Sequence, residues 1–290
     1  MDMRKYISLL FIGLLLACQP AKKTDRKDVI TVTILPQKYF VERIAGELAE
    51  INVLVPPGAS PELYSLTPSQ LKDVVYSKAW LRMGHVGFEL SWADKIMAAN
   101  RDMETFMLSE GIDLIVGDEE QHDDHFHPGG VDPHFWMAPR EVSIIAENTL
   151  KALLELYPGQ EEQFRDNFEK LKADIEETDR HISEVLADTR IRSFLVFHPA
   201  LTYFARQYGL EQVALEKKGK EPSPKHVKEV IQMAREKNIR VIFIQKEFDR
   251  SNAQVIAQEI GGSIIQINPL DYNWLEQMEE TTENLKNALD

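Results

Sequence analysis

QEEQFRDNFEKLKADIEETDRHISEVLA, residues 160–187, is the stretch whose reading decides the fold. Phe164, Phe168, Leu171, Ile175, Ile182 and Leu186 recur at helical spacing, and the opposite face is almost wholly charged. That pattern is an amphipathic helix of about 28 residues, roughly 42 Å long, and Pro158 and Gly159 close the element before it. A coiled-coil dimer is the competing use of such a stripe. This one is irregular at Thr178 and spans only about four heptads, so we read a single helix packed across two flanking lobes.

On both sides of it, short apolar runs alternate with helical periodicity. Upstream, strands are expected at Val29–Leu35, Ile51–Val55, Ala79–Met83 and Glu104–Leu108, with helices at Tyr39–Leu48 and Thr67–Val75. Downstream, strands are expected at Phe194–Phe197, Val213–Leu215, Val241–Ile244 and Ser263–Ile267. Leu201–Tyr208 reads as a helix up to Gly209, and Ser223 caps another that opens at Pro224 and runs to about Lys237. Strands alternating with helices imply parallel sheets with right-handed crossovers. The two halves echo each other: TVTILP at 31–36 and SFLVFHP at 193–199 each lead into a helix. The expected class is α/β, two parallel-sheet lobes joined by one long rigid helix. The lobes are drawn at 29–158 and 191–290, with the linker at 159–190.

The first residues read as a targeting segment. Arg4 and Lys5 precede an apolar run, Ile7–Leu16, too short to span a bilayer. The run ends at Ala17-Cys18, which is similar to a bacterial lipobox. Residues 1–17 are thus expected to be a signal peptide, Cys18 a lipid-modified residue and 18–28 a polar tether. This places the body in the cell envelope outside the cytoplasm, in the periplasm or on the outer face of the membrane. Cys18 is the chain's single cysteine, so no internal disulfide is expected. The net charge of −14 disfavours nucleic acid as a partner.

Candidate ligands gather where an open α/β sheet binds its ligands, just beyond the carboxyl ends of the strands. Glu62 follows the second strand, His85 the third, His198 the first strand of the second half, and Asn268 and Asp271 the last. His134 closes an acidic stretch, 118–134, that also holds His122, His125 and His127. Imidazole with carboxylate suits zinc above other divalent cations. A solvated acidic loop is the alternative reading of that stretch, and its density of histidine argues against it.

Taken in order, the proline-glycine loop Pro56–Pro68, Asp132-Pro133-His134-Phe135-Trp136, Phe197–Ala200, Glu221–Pro224 and Asn268–Leu270 resemble the metal-binding solute-binding proteins of bacterial ABC importers. The resemblance covers nearly all of the chain beyond the leader. It implies capture of zinc, or alternatively manganese or iron, in a cleft between the lobes, with delivery to an ABC permease. It implies His134 and His198 as ligands, Glu62 where many relatives have a histidine, Asn268 where several have an aspartate, and Gln245 where a glutamate is common. The fourth ligand stays open among Asn268, His85, Asp271 and water. The loop of His122, His125 and His127 resembles a short form of the metal-collecting insertion of zinc-specific members. No enzymatic activity is implied, and the chain is expected to act as a monomer. A zinc hydrolase is the competing function, since two histidines and a glutamate with an open position also describe a catalytic site. Against it, there is no His-Glu-x-x-His helix. An adhesin built on the same fold is a third reading.

Overall fold

The structure is a computed structural model that describes residues 27–117, 130–216, 222–248 and 250–290. The leader, Cys18, the loop histidines His122, His125 and His127, and Glu221 lie outside the described residues.

Two four-stranded parallel sheets form the frame. The first contains β1 (Asp28–Val32), β2 (Ala49–Val53), β3 (Ser77–Arg82) and β4 (Glu104–Met107), in the order β2-β1-β3-β4. The second contains β5 (Ser193–Val196), β6 (Glu211–Ala214), β7 (Val241–Gln245) and β8 (Ser263–Ile267), in the order β6-β5-β7-β8. The echo between the halves is therefore real at the level of topology. In each sheet the order reverses beside the first strand, between β1 and β3 and between β5 and β7. Connections there leave in opposite directions and open a crevice at the carboxyl ends.

Helices α1 (Leu35–Ala45), α2 (Pro68–Val74) and α3 (Gly87–Ala99) belong to the first half. A 3₁₀ turn, His134–Met137, leads into α4 (Pro139–Leu156), and the long α5 spans Glu161–Leu186. Helices α6 (Thr202–Tyr208), α7 (Pro224–Glu236), α8 (Ser251–Ile260) and α9 (Trp274–Leu289) complete the second half.

Some boundaries differ from the sequence expectation. Strand β1 stops at Val32 instead of Leu35, because Pro36 falls in the first turn of α1, where a missing N–H costs nothing. The side chain of Gln37 accepts from the backbone of Thr33 and Ile34, both at 2.9 Å, and satisfies donors at that helix start. The same helix ends at Ala45, before the expected Leu48, where Gly46 takes φ +61°. Strands β2 and β6 each begin two residues earlier than expected.

Helix α5 buries all six residues of its stripe. They pack on α1, α4 and α9, so the face a coiled-coil dimer would need is consumed within the chain. Helix α9 follows the second sheet in sequence, yet its first residue reaches the first half: the Trp274 ring meets Phe40 edge-on at 5.8 Å. The two halves thus share one apolar core, in which Phe40, Trp136, Leu171 and Trp274 are almost fully buried.

Leu171 is fully buried at the middle of this arrangement. Leu171→Ala is expected to destabilise the fold by about 2–5 kcal/mol, and Lys172→Ala on the solvent face by less than about 0.5 kcal/mol. Denaturant titration checks both. A dimer through the α5 stripe is not expected, so loss of that stripe's burial should accompany global unfolding.

Candidate metal centre

The halves meet in a seam of hydrogen bonds close to the carboxyl ends of both sheets. The Trp136 indole donates to the carbonyl of Pro269 at 2.8 Å, and the Trp274 indole donates to the carbonyl of Trp136 at 2.7 Å. The Tyr203 hydroxyl, from α6, donates to the carbonyl of Asp132 at 2.9 Å and accepts from the backbone of Ile115 at 3.0 Å. Arg206 bonds the buried carboxylate of Glu141 at 2.7 Å. Each buried polar group along this line is tied to the other half, which fixes where the loops on either side sit.

His134 opens the 3₁₀ turn. Asp132 shapes the segment in front of it: one carboxylate oxygen accepts both the backbone N–H and the ring Nδ1 of His134, each at 2.9 Å. His198 follows β5, at the crevice of the second sheet. Its Nδ1 lies 2.7 Å from Glu216, the second residue beyond β6. The parallel register of β5 and β6 brings these residues together, with Val196 opposite Ala214 and the Glu216 N–H bonded to the carbonyl of Phe197. The His198 ring stacks on Phe248 at 5.1 Å, and the His134 ring leans on Trp136 at 5.2 Å. All four members of these His–carboxylate pairs are at most 8% exposed.

The two Nε2 atoms face each other at 3.3 Å across the seam. A carboxylate only accepts, so Nδ1 of each ring donates to it, and Nε2 is the atom each ring turns toward the other. At that distance a proton or a metal cation can be shared between the two nitrogens. Nitrogens bound to one tetrahedral zinc at about 2.0–2.1 Å stand about 3.3–3.4 Å apart. The spacing fits that chelate, and the carboxylate behind each ring is the usual support of a zinc-bound imidazole.

Glu62 lines the same cavity, with Ser60, Pro61, Gln245, Glu247 and Leu270. Its turn is held by the Phe88 N–H, which bonds the carbonyl of Pro61 at 2.8 Å. The turn rests on the first residue of α3, Gly87. A methyl group there would stand 2.5 Å from Glu62 Oε2 and 3.3 Å from its Cα. The Glu62 carboxylate therefore sits against a helix N-terminus, whose dipole favours negative charge. Among the described residues no group of three His, Cys, Asp or Glu side chains is preassembled. The histidine pair is in place, and Glu62 borders it without closing the set.

The structure does not bring the remaining candidates to that point. The Asn268 amide donates to Asp271 Oδ2 at 2.6 Å, and neither residue lines the cavity. His85 lies edge-on to Phe135 at 6.5 Å. Burial lowers its pKa, with the Arg82 charge adding to the effect, and it too is absent from the cavity wall. Glu216, Gly87 and Glu247 were missed in the sequence. For Glu216 the only signal is an acid just past a strand.

The family described as zinc-uptake complex component A, periplasmic (ZnuA), matches residues 30–288. The zinc-binding lipoprotein AdcA of Streptococcus pneumoniae is 26% identical over 309 residues, covering 99% of this chain. The chain spans 61% of that relative's length. A crystal structure of ZnuA superposes with a TM-score of 0.85 at 33% identity, covering 91% of this chain and 100% of that one. A zinc-bound deletion mutant of ZnuA gives 0.84 at 32% identity, covering 91% and 98%.

Gly87→Ala is expected to push the Glu62 turn away from the histidine pair and weaken zinc binding by about 10- to 100-fold, the scale of losing a ligand's support. Calorimetric titration with zinc measures it; an unchanged affinity would separate Glu62 from the site.

Proposed function

The chain belongs to the family of the periplasmic zinc-uptake component A, and from that premise we propose that it captures a zinc ion and delivers it to an ABC permease for import. One observation carries the reading. Two buried imidazoles, each backed by a carboxylate, aim their Nε2 atoms at one point with the spacing of a zinc chelate. The proposed ligands are His134, His198 and Glu62. Two nitrogens and one carboxylate oxygen favour zinc over manganese or iron, which prefer more oxygen donors. With neutral imidazoles, one coordinating carboxylate leaves the bound ion with net positive charge, a site that can still release its cargo.

The cavity supports a binder of bare ions over a hydrolase. Its volume of about 30 Å³ suits an ion and not an organic substrate, whose pockets run to about 300–1,000 Å³. We place the protein in the cell envelope, anchored by lipid on Cys18 through the tether 18–28, and acting as a monomer. The loop of His122, His125 and His127 is proposed to collect metal near the cleft through weak auxiliary sites.

His134→Ala and His198→Ala each remove a donor and should weaken zinc binding by about 10-fold or more. Binding should also weaken in acid, because protons and zinc compete for the same Nε2 lone pairs. Competition titration against a chelator of known affinity decides the first point, and wild-type affinity in either variant would refute the ligand set.

Deleting residues 122–127 should lower the number of zinc ions bound while the tightest site keeps its affinity. Ordering a loop costs conformational entropy that the pre-formed cavity avoids. Loss of the tightest site in that variant would instead make the loop part of it.

A further inference from the structure

We propose that Gln245 completes the metal centre: its Oε1 accepts a hydrogen bond from a water bound to the metal at the fourth position. The inference rests on the zinc-capture reading above and assigns the place that reading leaves open.

Gln245 is the last residue of β7, 3% exposed, and lines the cavity with His134 and His198. Its Nε2 donates to the carbonyl of His198 at 2.7 Å, which fixes the plane of the amide. The other end of that amide, Oε1, is buried and meets no donor among the described residues. Buried acceptors without a donor are rare in folded proteins, and each asks for a reason. Here the acceptor belongs to a side chain locked to the backbone of a proposed ligand.

A metal-bound water supplies the matching donor. The cation polarises it into a strong hydrogen-bond donor, and Gln245 can receive it only through Oε1, since the amide nitrogen only donates. Space allows it: the cavity of about 30 Å³ holds an ion and about one water, which needs roughly 10–15 Å³. The protein side chains expected at the fourth position are engaged elsewhere, Asn268 with Asp271 and His85 against Phe135. A neutral amide oxygen is itself a poor ligand for zinc beside imidazole and carboxylate, so the contact runs through the water. Its neutrality matters as well. A carboxylate at this point would add to the negative charge that Glu62 and Glu247 already bring to the cavity wall.

The test compares wild type, Gln245→Met, Gln245→Glu and His198→Ala by zinc competition titration and by the visible spectrum of the cobalt-loaded protein. Gln245→Met should bind zinc about 10- to 100-fold more weakly, the scale for losing an outer-shell partner, with a changed cobalt spectrum. Gln245→Glu adds charge but replaces the N–H that holds the His198 carbonyl with an oxygen, so both its zinc affinity and its cobalt spectrum should change. If folded Gln245→Met and Gln245→Glu both keep wild-type affinity and spectrum while His198→Ala fails to bind, the role of Gln245 is overturned and the metal site stands. If His198→Ala binds like wild type, the site itself is wrong and the inference falls with it. Should thermal melting show Gln245→Met unfolded, Gln245→Glu decides alone, and unchanged affinity in it overturns the proposal.

Discussion

Two imidazole Nε2 atoms held 3.3 Å apart are the constraint on which the rest depends. What holds the pair is built in layers: Asp132 and Glu216 orient the rings, Trp136 and Phe248 pack against them, and hydrogen bonds join the halves. The His134 ring is not set by its own half alone, since Trp136, two residues away, is bonded to Pro269 beyond β8. His198 is held from within its own half, where Gln245 of β7 grips its carbonyl.

As the proposed metal site, such a pair would need a frame that does not relax when the cation leaves. The long α5 and the crossing α9 supply a rigid frame, because their apolar faces belong to one core shared by both halves. Individual seam hydrogen bonds contribute only about 0.5–1.5 kcal/mol each. The buried stripe of α5 and the rings of Phe40, Trp136 and Trp274 supply the larger share, at about 1.5–3 kcal/mol per buried side chain. Rigidity of this kind lowers the ordering cost of binding and lets a small, mostly neutral donor set bind an ion. It also explains why a glycine matters at position 87, where the Glu62 turn rests directly on a helix start.

Much of this was legible in the chain. The stripe of α5 predicted its own burial, and β8 lies where its apolar run indicated. The run through Ile34 and Leu35 misled, since apolar residues continue past the strand into a helix that tolerates proline in its first turn. Helix α3 was not read because its sequence, GFELSWADKIMAA, carries little one-sided apolar spacing. At the site, the acidic stretch rich in histidine pointed to His134, and the rule of ligands just past strands pointed to His198. The same rule pointed to Asn268 and Asp271, which the structure shows bonded to each other instead. Glu216 was invisible because its role depends on the register of β5 against β6, a property of the pairing and not of either segment. Gln245 had the right position, but no pattern of residues reveals which end of an amide will lack a partner.

The most direct test is a crystal structure of zinc-loaded protein with an anomalous difference map recorded at the zinc edge. The account predicts one dominant peak between the two rings, at about 2.0–2.1 Å from both Nε2 atoms, with a Glu62 oxygen in the same shell. A dominant peak elsewhere, or one bound by only one of the two histidines, would contradict it.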